Sequence, residues 1–185
     1  MGVQKTAYHG TSIEAKESIL KDNHFILSNK DNEWAGEGAY FFINKNKEVA
    51  YNHAYKWSKN FKKISEERIA TIEADIIYSE DEIFDLTNED DEELFQVCRR
   101  DMFEEATKRA KIKNKILASV YTDRRKFDCL IINEICKVFG KTIVKRNAYI
   151  RCLEDKYDKY QLPTSSFPNC TILCIRNQKH INKIR

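Results

Sequence analysis

The pattern of apolar and polar positions predicts several short strands along the chain. Residues 4–8 and 40–43 are extended runs without a helical period, and residues 68–77 alternate apolar with polar side chains. The sequence Phe-Asp-Cys-Leu-Ile-Ile at 127–132 predicts a central strand buried on both faces, because it is almost continuously apolar. Residues 171–175 predict the last strand. Shorter runs predict strand segments at residues 25–27, 83–86, 142–144 and 148–150.

Amphipathic stretches with helical spacing lie between these runs. Each begins at a short polar residue, whose side chain can accept a hydrogen bond from the first turn. The longest helix opens with the acidic residues 89–93, where the helix dipole favours negative charge. Helical character, unbroken or broken, is expected to continue to about Val120. The predicted caps are Ser12 for a helix over 13–22, Asn44 or Asn46 for the second helix, and Thr87 or Asn88 for the longest.

The second helix is expected to present two different faces. Val49, His53 and Trp57 share one apolar stripe, which is expected to pack on the sheet with His53 as a core residue. Tyr51 lies on another face and is expected to turn toward a cleft.

The order of these elements predicts an α+β fold in a single domain over residues 1–185. A chain of 185 residues is long enough for one domain with its own core, and it contains no repeat and no linker. The clearest loop is 162–169, which holds both prolines, and residue 177 is expected to start a polar tail. A polar loop at 29–37 contains Trp34.

Composition narrows the class of protein. The formal net charge of +3 gives no strong electrostatic case for nucleic acid, although basic and acidic residues do cluster locally. Six cysteines show no Cys-x-x-Cys spacing, so free thiols in a reducing compartment are expected, with no disulfide frame and no metal site. No leader and no membrane-spanning run is found, which predicts a cytoplasmic protein with no membrane partner.

Two glycine-containing motifs carry the candidate chemistry. Residues 8–12 read Tyr-His-Gly-Thr-Ser, and residues 36–42 read Gly-Glu-Gly-Ala-Tyr-Phe-Phe. Gly10 ends an extended run at a place where the backbone must turn or approach a ligand closely. Two glycines before an aromatic triplet are typical of a tight turn that leads into a buried strand. We expect both strands to lie side by side and to point His9 and Tyr40 into one cleft.

This pair of motifs, followed by Tyr51 eleven residues past Tyr40, resembles the NAD-binding half of the ADP-ribosyltransferases related to the poly(ADP-ribose) polymerases. The resemblance implies that His9 anchors the adenosine-side ribose of NAD and that the backbone of Gly10 hydrogen-bonds the nicotinamide amide. It also implies that Tyr40 and Tyr51 sandwich the nicotinamide ring, and it places Thr11 among the NAD-binding residues. The fold implied is a split, mostly antiparallel β core with flanking helices.

The resemblance covers residues 7–57 and is weak over the rest of the chain. The chemistry favours the same residue types. Breaking the nicotinamide–ribose bond passes through an oxocarbenium-like state, so the protein must hold the ring flat and exclude water. Aromatic faces stack a planar cation, for roughly 0.5–2 kcal/mol each, and a histidine can hydrogen-bond a ribose hydroxyl.

The third residue of the family pattern, commonly a glutamate at the head of a late strand, falls on Ile172. A site without its own base must use an acceptor that is already ionised, which predicts single transfers to a carboxylate or a phosphate. Alternatively Glu134, Glu37 or Glu48 supplies the acid. Glu48 also stands where relatives usually carry a small hydroxyl residue that bonds the nicotinamide amide, three residues before Tyr51.

The sequence therefore predicts a mono-ADP-ribosyltransferase that uses NAD as co-substrate, modifies a protein or nucleic acid, and releases nicotinamide. The Lys-, Asn- and Ile-rich composition is typical of an AT-rich bacterial or phage genome, so a toxin or defence effector with a neutralising partner is a further hypothesis. Two alternatives remain open: a non-catalytic module that binds NAD or ADP-ribose, and an NAD-dependent RNA 2′-phosphotransferase.

Overall fold

The strands and helices follow one another in an order that confirms the predicted α+β class. A computed structural model describes residues 2–113, 118–153 and 167–185 of the chain. The strands are β1 (Val3–Ser12), β2 (Ala39–Ile43), β3 (Ile69–Tyr78), β4 (Ile83–Asp85), β5 (Ile143–Ala148), β6 (Cys170–Ile175) and β7 (Ile181–Asn182). The α-helices are α1 (Ile13–Asp22), α2 (Lys47–Lys56), α3 (Glu89–Ile112), α4 (Ser119–Thr122) and α5 (Arg124–Phe139), and a π-helical turn, Trp57–Phe61, continues α2.

The seven strands form one sheet in the order β4-β5-β6-β2-β1-β3-β7. All neighbours are antiparallel except β4 and β5. The longest pairing joins β1 to β3 over ten residue pairs, from Val3 with Tyr78 to Ser12 with Ile69. By contrast, β1 and β2 share a single pair, Tyr8 with Phe42. The sheet is therefore weakest in hydrogen bonds at its β1–β2 junction.

Helix caps hold the predicted helices at the predicted starts. Ser12 Oγ accepts a hydrogen bond from the Ala15 amide at 3.3 Å, and this cap opens α1 directly after β1. Of the alternatives for the other two helices, Asn46 caps α2 through a bond from the Glu48 amide at 3.0 Å. Asn88 caps α3 in the same way. Each cap supplies a partner for a backbone N–H that the helix itself leaves unpaired.

The core lies on both faces of the sheet, because successive side chains of a strand point to opposite faces. Tyr8, Phe42 and Ile172 belong to the cluster that α2, α3 and α5 cover. Phe41 and Leu173 belong to the opposite cluster, against which Ile19 of α1 packs. Helices therefore lie on both faces of the sheet near the β1–β2 junction.

The strand predicted at 127–132 is wrong, because these residues form the first half of α5. Asp123 caps this helix by accepting hydrogen bonds from the amides of Arg125 and Lys126. The apolar run fits a helix because α5 buries a wide face, and a short apolar run alone does not distinguish a buried strand from a buried helix. The buried positions are Phe127, Cys129, Ile131, Ile132, Ile135 and Cys136.

Other segments differ from the prediction in smaller ways. Residues 25–27 form no strand: Phe25 is buried, but Ile26 is 92% exposed. Strand β5 covers 143–144 of the segment expected at 142–144 and reaches only the first residue of the one expected at 148–150. Helix α3 ends at Ile112 and α4 begins at Ser119, so the helical character expected to about Val120 is broken into two helices. The expected polar tail instead makes a 3₁₀ turn, Gln178–His180, and β7. Of the loop predicted at 162–169, residues 162–166 lie outside the described part of the chain.

Candidate functional site

The candidate site lies where β1 and β2 separate. Beyond the Tyr8–Phe42 pair the two strands diverge, and the side chain of His9 bridges the gap at 2.7 Å from the backbone oxygen of Tyr40. A cavity of about 720 Å³ opens here, lined by His9, Gly10 and Thr11 from β1, by residues 39–42 of β2 and by Gly38 just before β2. This volume is typical of small-molecule sites, which span roughly 300–1,000 Å³. The structure thus brings both glycine motifs to one cavity.

The backbone of Gly10 is directed into this gap. Glu73 of β3 exchanges both of its backbone hydrogen bonds with Arg185, at 3.0 and 2.8 Å, so its polar groups point away from β1. In an antiparallel ladder residues two apart point the same way, so Thr71 also faces away from β1. Gly10 pairs with Thr71 and therefore presents its N–H and C=O on the β2 side. One donor and one acceptor are thereby offered to the cavity.

Gly10 is also required by helix packing. A Cβ atom at this position would lie 1.9 Å from the carbonyl oxygen of Ala54 and 2.5 Å from Ser58 Oγ. The absence of a side chain lets α2 approach β1 closely, with Ala50 and Ala54 buried against the sheet. The glycine therefore has a structural role in addition to any contact with a ligand.

His9 is held as a neutral ring with one nitrogen free to accept. Its imidazole packs against both Phe25 and Phe41, at centroid distances of 5.4 and 5.6 Å. Burial lowers the pKa of His9 to about 4, and the positive charge of Lys62 contributes in the same direction. Because the Tyr40 carbonyl only accepts, Nδ1 carries the proton, and Nε2 of the neutral ring is then an acceptor. This arrangement suits a ligand hydroxyl.

Tyr40 ties the glycine loop to the sheet. Its hydroxyl donates to the Gly36 carbonyl at 2.5 Å and accepts from the Ala35 amide at 2.9 Å. Gly36 has φ of +76°, a left-handed conformation that glycine adopts without strain. Burial raises the pKa of Tyr40 well above its ordinary value, so the hydroxyl stays protonated. The ring lines the cavity while its hydroxyl end holds the loop.

The structure does not bring Tyr51 or Glu48 to the cavity. Tyr51 is 46% exposed and meets Tyr8 edge-on at 6.1 Å. The cause is the rotation of α2, which turns Ala50 and Ala54 toward the sheet and leaves Tyr51 at one side. The sandwich of Tyr40 with Tyr51, and the contact of Glu48 with a ligand, are therefore not supported by this geometry.

Two further aromatic residues line the cavity together with Tyr40. Trp57 and Phe61, one and two turns beyond Ala54 on the same helical face, both line the cavity. Their rings stack on each other at 4.0 Å with an interplanar angle of 15°. Sequence reasoning missed them as site residues, although their i, i+4 spacing on an apolar face was a visible signal.

Ile172 lies at the cavity as expected, but it brings no charge. It is 2% exposed, pairs with Phe42 across the β2–β6 ladder, and lines the cavity. Neither Glu37 nor Glu134 lines the cavity. The carboxylates among its described lining residues are Asp22, at the end of α1, and Glu33, in the loop before β2. Glu33 was not singled out from the sequence, and its position beside Trp34 was the available signal.

Three basic side chains also reach this cavity: Lys30, Lys62 and Arg125. Lys62 Nζ donates to the Gly10 carbonyl at 2.9 Å, and partial desolvation and the charge of Lys30 lower the pKa of Lys62. The Arg125 guanidinium stacks over the ring of Trp34 at 4.1 Å. Within the described residues no carboxylate forms an ion pair with any of the three. The cavity can therefore attract an anion.

The remaining reactive groups are dispersed. All six cysteines are free thiols, and burial raises the pKa of Cys170 to about 12. In the part of the chain that the structure describes, no three His, Cys, Asp or Glu side chains are grouped to hold a metal ion. Across those same residues, no helix has the length and hydropathy needed to cross a membrane.

Comparison with known proteins gives little guidance on function. No family model matches the chain, and no solved structure matches it. An uncharacterized protein of Methanocaldococcus jannaschii is 34% identical over 99 residues. That stretch covers 51% of this chain and 43% of the archaeal protein, so the match spans less than half of the relative's length.

Proposed function

We propose that this protein is a mono-ADP-ribosyltransferase, which transfers one ADP-ribose from NAD to a macromolecule and releases nicotinamide. The observation that supports this most directly is the separation of β1 from β2, which brings His9, Gly10 and Tyr40 to one cavity although His9 and Tyr40 are 31 residues apart. The fold we propose is accordingly a split antiparallel core of the ADP-ribosyltransferase type, with the split at this junction.

Each side chain has a defined task in this proposal. The nicotinamide amide pairs with the N–H and C=O of Gly10, and the carbonyl can accept from both the amide and Lys62 because it has two lone pairs. Tyr40 and Trp57 contact the two faces of the pyridine ring. Nε2 of His9 accepts a hydrogen bond from a ribose hydroxyl. These contacts orient the glycosidic bond for cleavage.

The test is nicotinamide release from NAD by the purified protein in the presence of cell lysate. We expect release by the wild type, a loss of at least about 10-fold in His9→Ala and Trp57→Ala, and no change in Tyr55→Ala. Tyr55 is the matched aromatic control, because it lies on α2 but not in the cavity lining. The proposal is wrong if wild type and His9→Ala release nicotinamide equally. Tight NAD binding by calorimetry without any turnover would instead favour a non-catalytic binding module.

The three basic residues favour a second candidate, an NAD-dependent RNA 2′-phosphotransferase. Such an enzyme needs cations that hold the RNA phosphate beside the bound NAD, and Lys30, Lys62 and Arg125 meet that need. Incubation of 2′-phosphorylated RNA with NAD would then remove the phosphate from the RNA. Arg125→Ala would lose this activity, whereas Arg109→Ala, on the exposed part of α3, would retain it. Nicotinamide release with the phosphate left on the RNA excludes this candidate.

The proposed cellular setting is the cytoplasm, where NAD is available, with a protein or nucleic acid as acceptor. If the protein is a toxin or defence effector, its expression impairs growth and His9→Ala relieves the impairment. Rescue by a co-expressed neighbouring gene would identify a neutralising partner. Harmless expression of an enzymatically active wild type argues against the toxin role.

A further inference from the structure

The loop that enters the cavity before β2 is closed and well anchored. Ser28 and Gly38 exchange two backbone hydrogen bonds, at 3.0 and 2.9 Å, and so join the two ends of the loop. Inside it, Arg146 Nη1 donates to the Trp34 carbonyl at 2.8 Å. The Tyr40 hydroxyl holds the next two residues, as described above. The backbone on the C-terminal side of Glu33 is therefore fixed by both β5 and β2.

The Glu33 carboxylate is oriented but not neutralised. Ser28 Oγ donates a hydrogen bond to Glu33 Oε1 across the loop. No lysine, arginine or histidine of the described residues forms an ion pair with it. The side chain lines the cavity together with His9 and Tyr40. Burial is the main cause of the raised pKa of Tyr40, and the negative charge of Glu33 makes a smaller contribution in the same direction.

Glu33 and Asp22, the two carboxylates among the described residues of the cavity, lie at different places in it. Asp22 is exposed and ends α1, a helix of ten residues that starts directly after β1. At 1.5 Å per residue, Asp22 lies about 15 Å along the helix from that start. Glu33 instead precedes the residues clamped by the hydroxyl of Tyr40, which places it at the hydroxyl end of that ring.

We propose that Glu33 is a catalytic residue that acts as general base on a neutral hydroxyl acceptor, in place of the missing acid at Ile172. This inference rests on the proposed transferase function. In the step, the C1′–N bond breaks and its electron pair stays on the nicotinamide nitrogen. The acceptor oxygen forms the new bond to C1′, and its proton moves to the Glu33 carboxylate, which later releases it to water. Transfer is then not restricted to acceptors that are already ionised.

The substitution Glu33→Gln tests this step with little disturbance of the loop. Glutamine has the same shape, and its side-chain oxygen still accepts from Ser28 Oγ, but its amide cannot take a proton. We use water as the acceptor and measure nicotinamide release from NAD alone. We expect kcat to fall about 100-fold, within the range for general base catalysis, while the KM for NAD stays within about 2-fold. Glu37→Gln is the matched control, because its side chain is exposed and outside the cavity lining.

Chemical rescue distinguishes a base from a merely structural carboxylate. Glu33→Ala should recover activity on addition of formate or azide, and His9→Ala should not. If the wild type is active and Glu33→Gln retains its kcat, the role of Glu33 is refuted and the transferase proposal stands. A Glu33→Gln variant that changes KM but not kcat refutes the role as well. If the wild type releases no nicotinamide, both proposals fail.

Discussion

The substitution Tyr40→Phe removes only the hydroxyl of Tyr40, so it tests the role of the hydroxyl separately from that of the ring. In Tyr40→Phe the ring remains in the cavity, but the Gly36 carbonyl keeps only the weak contact from Cys174 Sγ at 3.6 Å, and the Ala35 amide loses its acceptor. Both groups belong to buried residues. We therefore expect the substitution to loosen the loop that carries Glu33 without emptying the cavity.

The magnitude follows from the two backbone groups that lose the hydroxyl of Tyr40. Each buried group left without its partner costs about 1–3 kcal/mol, and the Cys174 contact that the Gly36 carbonyl keeps reduces this, so the sum is about 2 kcal/mol. For a chain of this size, 1 kcal/mol corresponds to about 2–4 °C in Tm. Tyr40→Phe should therefore melt roughly 4–8 °C below the wild type.

Thermal and urea unfolding measure this effect directly. Tyr51→Phe is the matched control, because Tyr51 is half exposed and its hydroxyl holds no loop, and it should melt within about 1 °C of the wild type. Equal Tm values for Tyr40→Phe and Tyr51→Phe would refute the claim that the Tyr40 hydroxyl organises the loop. A loss of stability without a change in hydrogen exchange at residues 29–38 would contradict it too.

Two further substitutions test other parts of the site. Gly10→Ala places a methyl group 1.9 Å from a backbone oxygen of α2, so it should destabilise the protein by about 3 kcal/mol in urea unfolding. Gly2→Ala is the control and should be neutral, because no atom lies closer than 3.9 Å to its added methyl group. Equal effects of the two substitutions would contradict the close packing of α2 on Gly10. The pKa of His9 falls from 6.5 to about 4 on folding, so its neutral ring contributes stability above pH 6.5 that is lost as the pH drops toward 4. His9→Gln should remove about 2 kcal/mol of that acid dependence, after a discount for partial exposure, and unchanged acid curves would refute the assignment.

The sequence predicts the meeting of His9 and Tyr40 because both follow from strand signals next to glycine. Gly10 ends one strand, and the two glycines at 36 and 38 precede the other, so the ends of the strands could be located. In the structure, both residues line the cavity, and the ring of His9 contacts the backbone oxygen of Tyr40. This part of the site depends on local signals that a sequence displays.

The rotation of α2 could not be predicted, because it depends on tertiary packing. Val49, His53 and Trp57 form the more apolar stripe, yet the small residues Ala50 and Ala54 are the ones buried. They are favoured because Gly10 leaves space only for a close helix backbone. Hydropathy ranks side chains by polarity and not by the distance that the partner strand allows.

The misassigned strand at 127–132 has a different cause. A run of six residues is shorter than two helical turns, so strand and helix periods are not yet distinguishable in it. The buried residues Ile135 and Cys136 continue the helical spacing, and they are separated from the run by Asn133 and Glu134. The same limit hid Glu33, since a single acid in a polar loop has no periodicity to mark it.

The single Tyr8–Phe42 pair divides the sheet into two ribbons, one of four strands and one of three. Few backbone hydrogen bonds oppose the sliding of one ribbon past the other at the β1–β2 junction. A ligand bound between β1 and β2 would supply hydrogen-bond partners that the two strands do not give each other, and its binding would make the whole sheet more rigid. Slower amide exchange along β1 and β2 would then report occupancy even before any product forms.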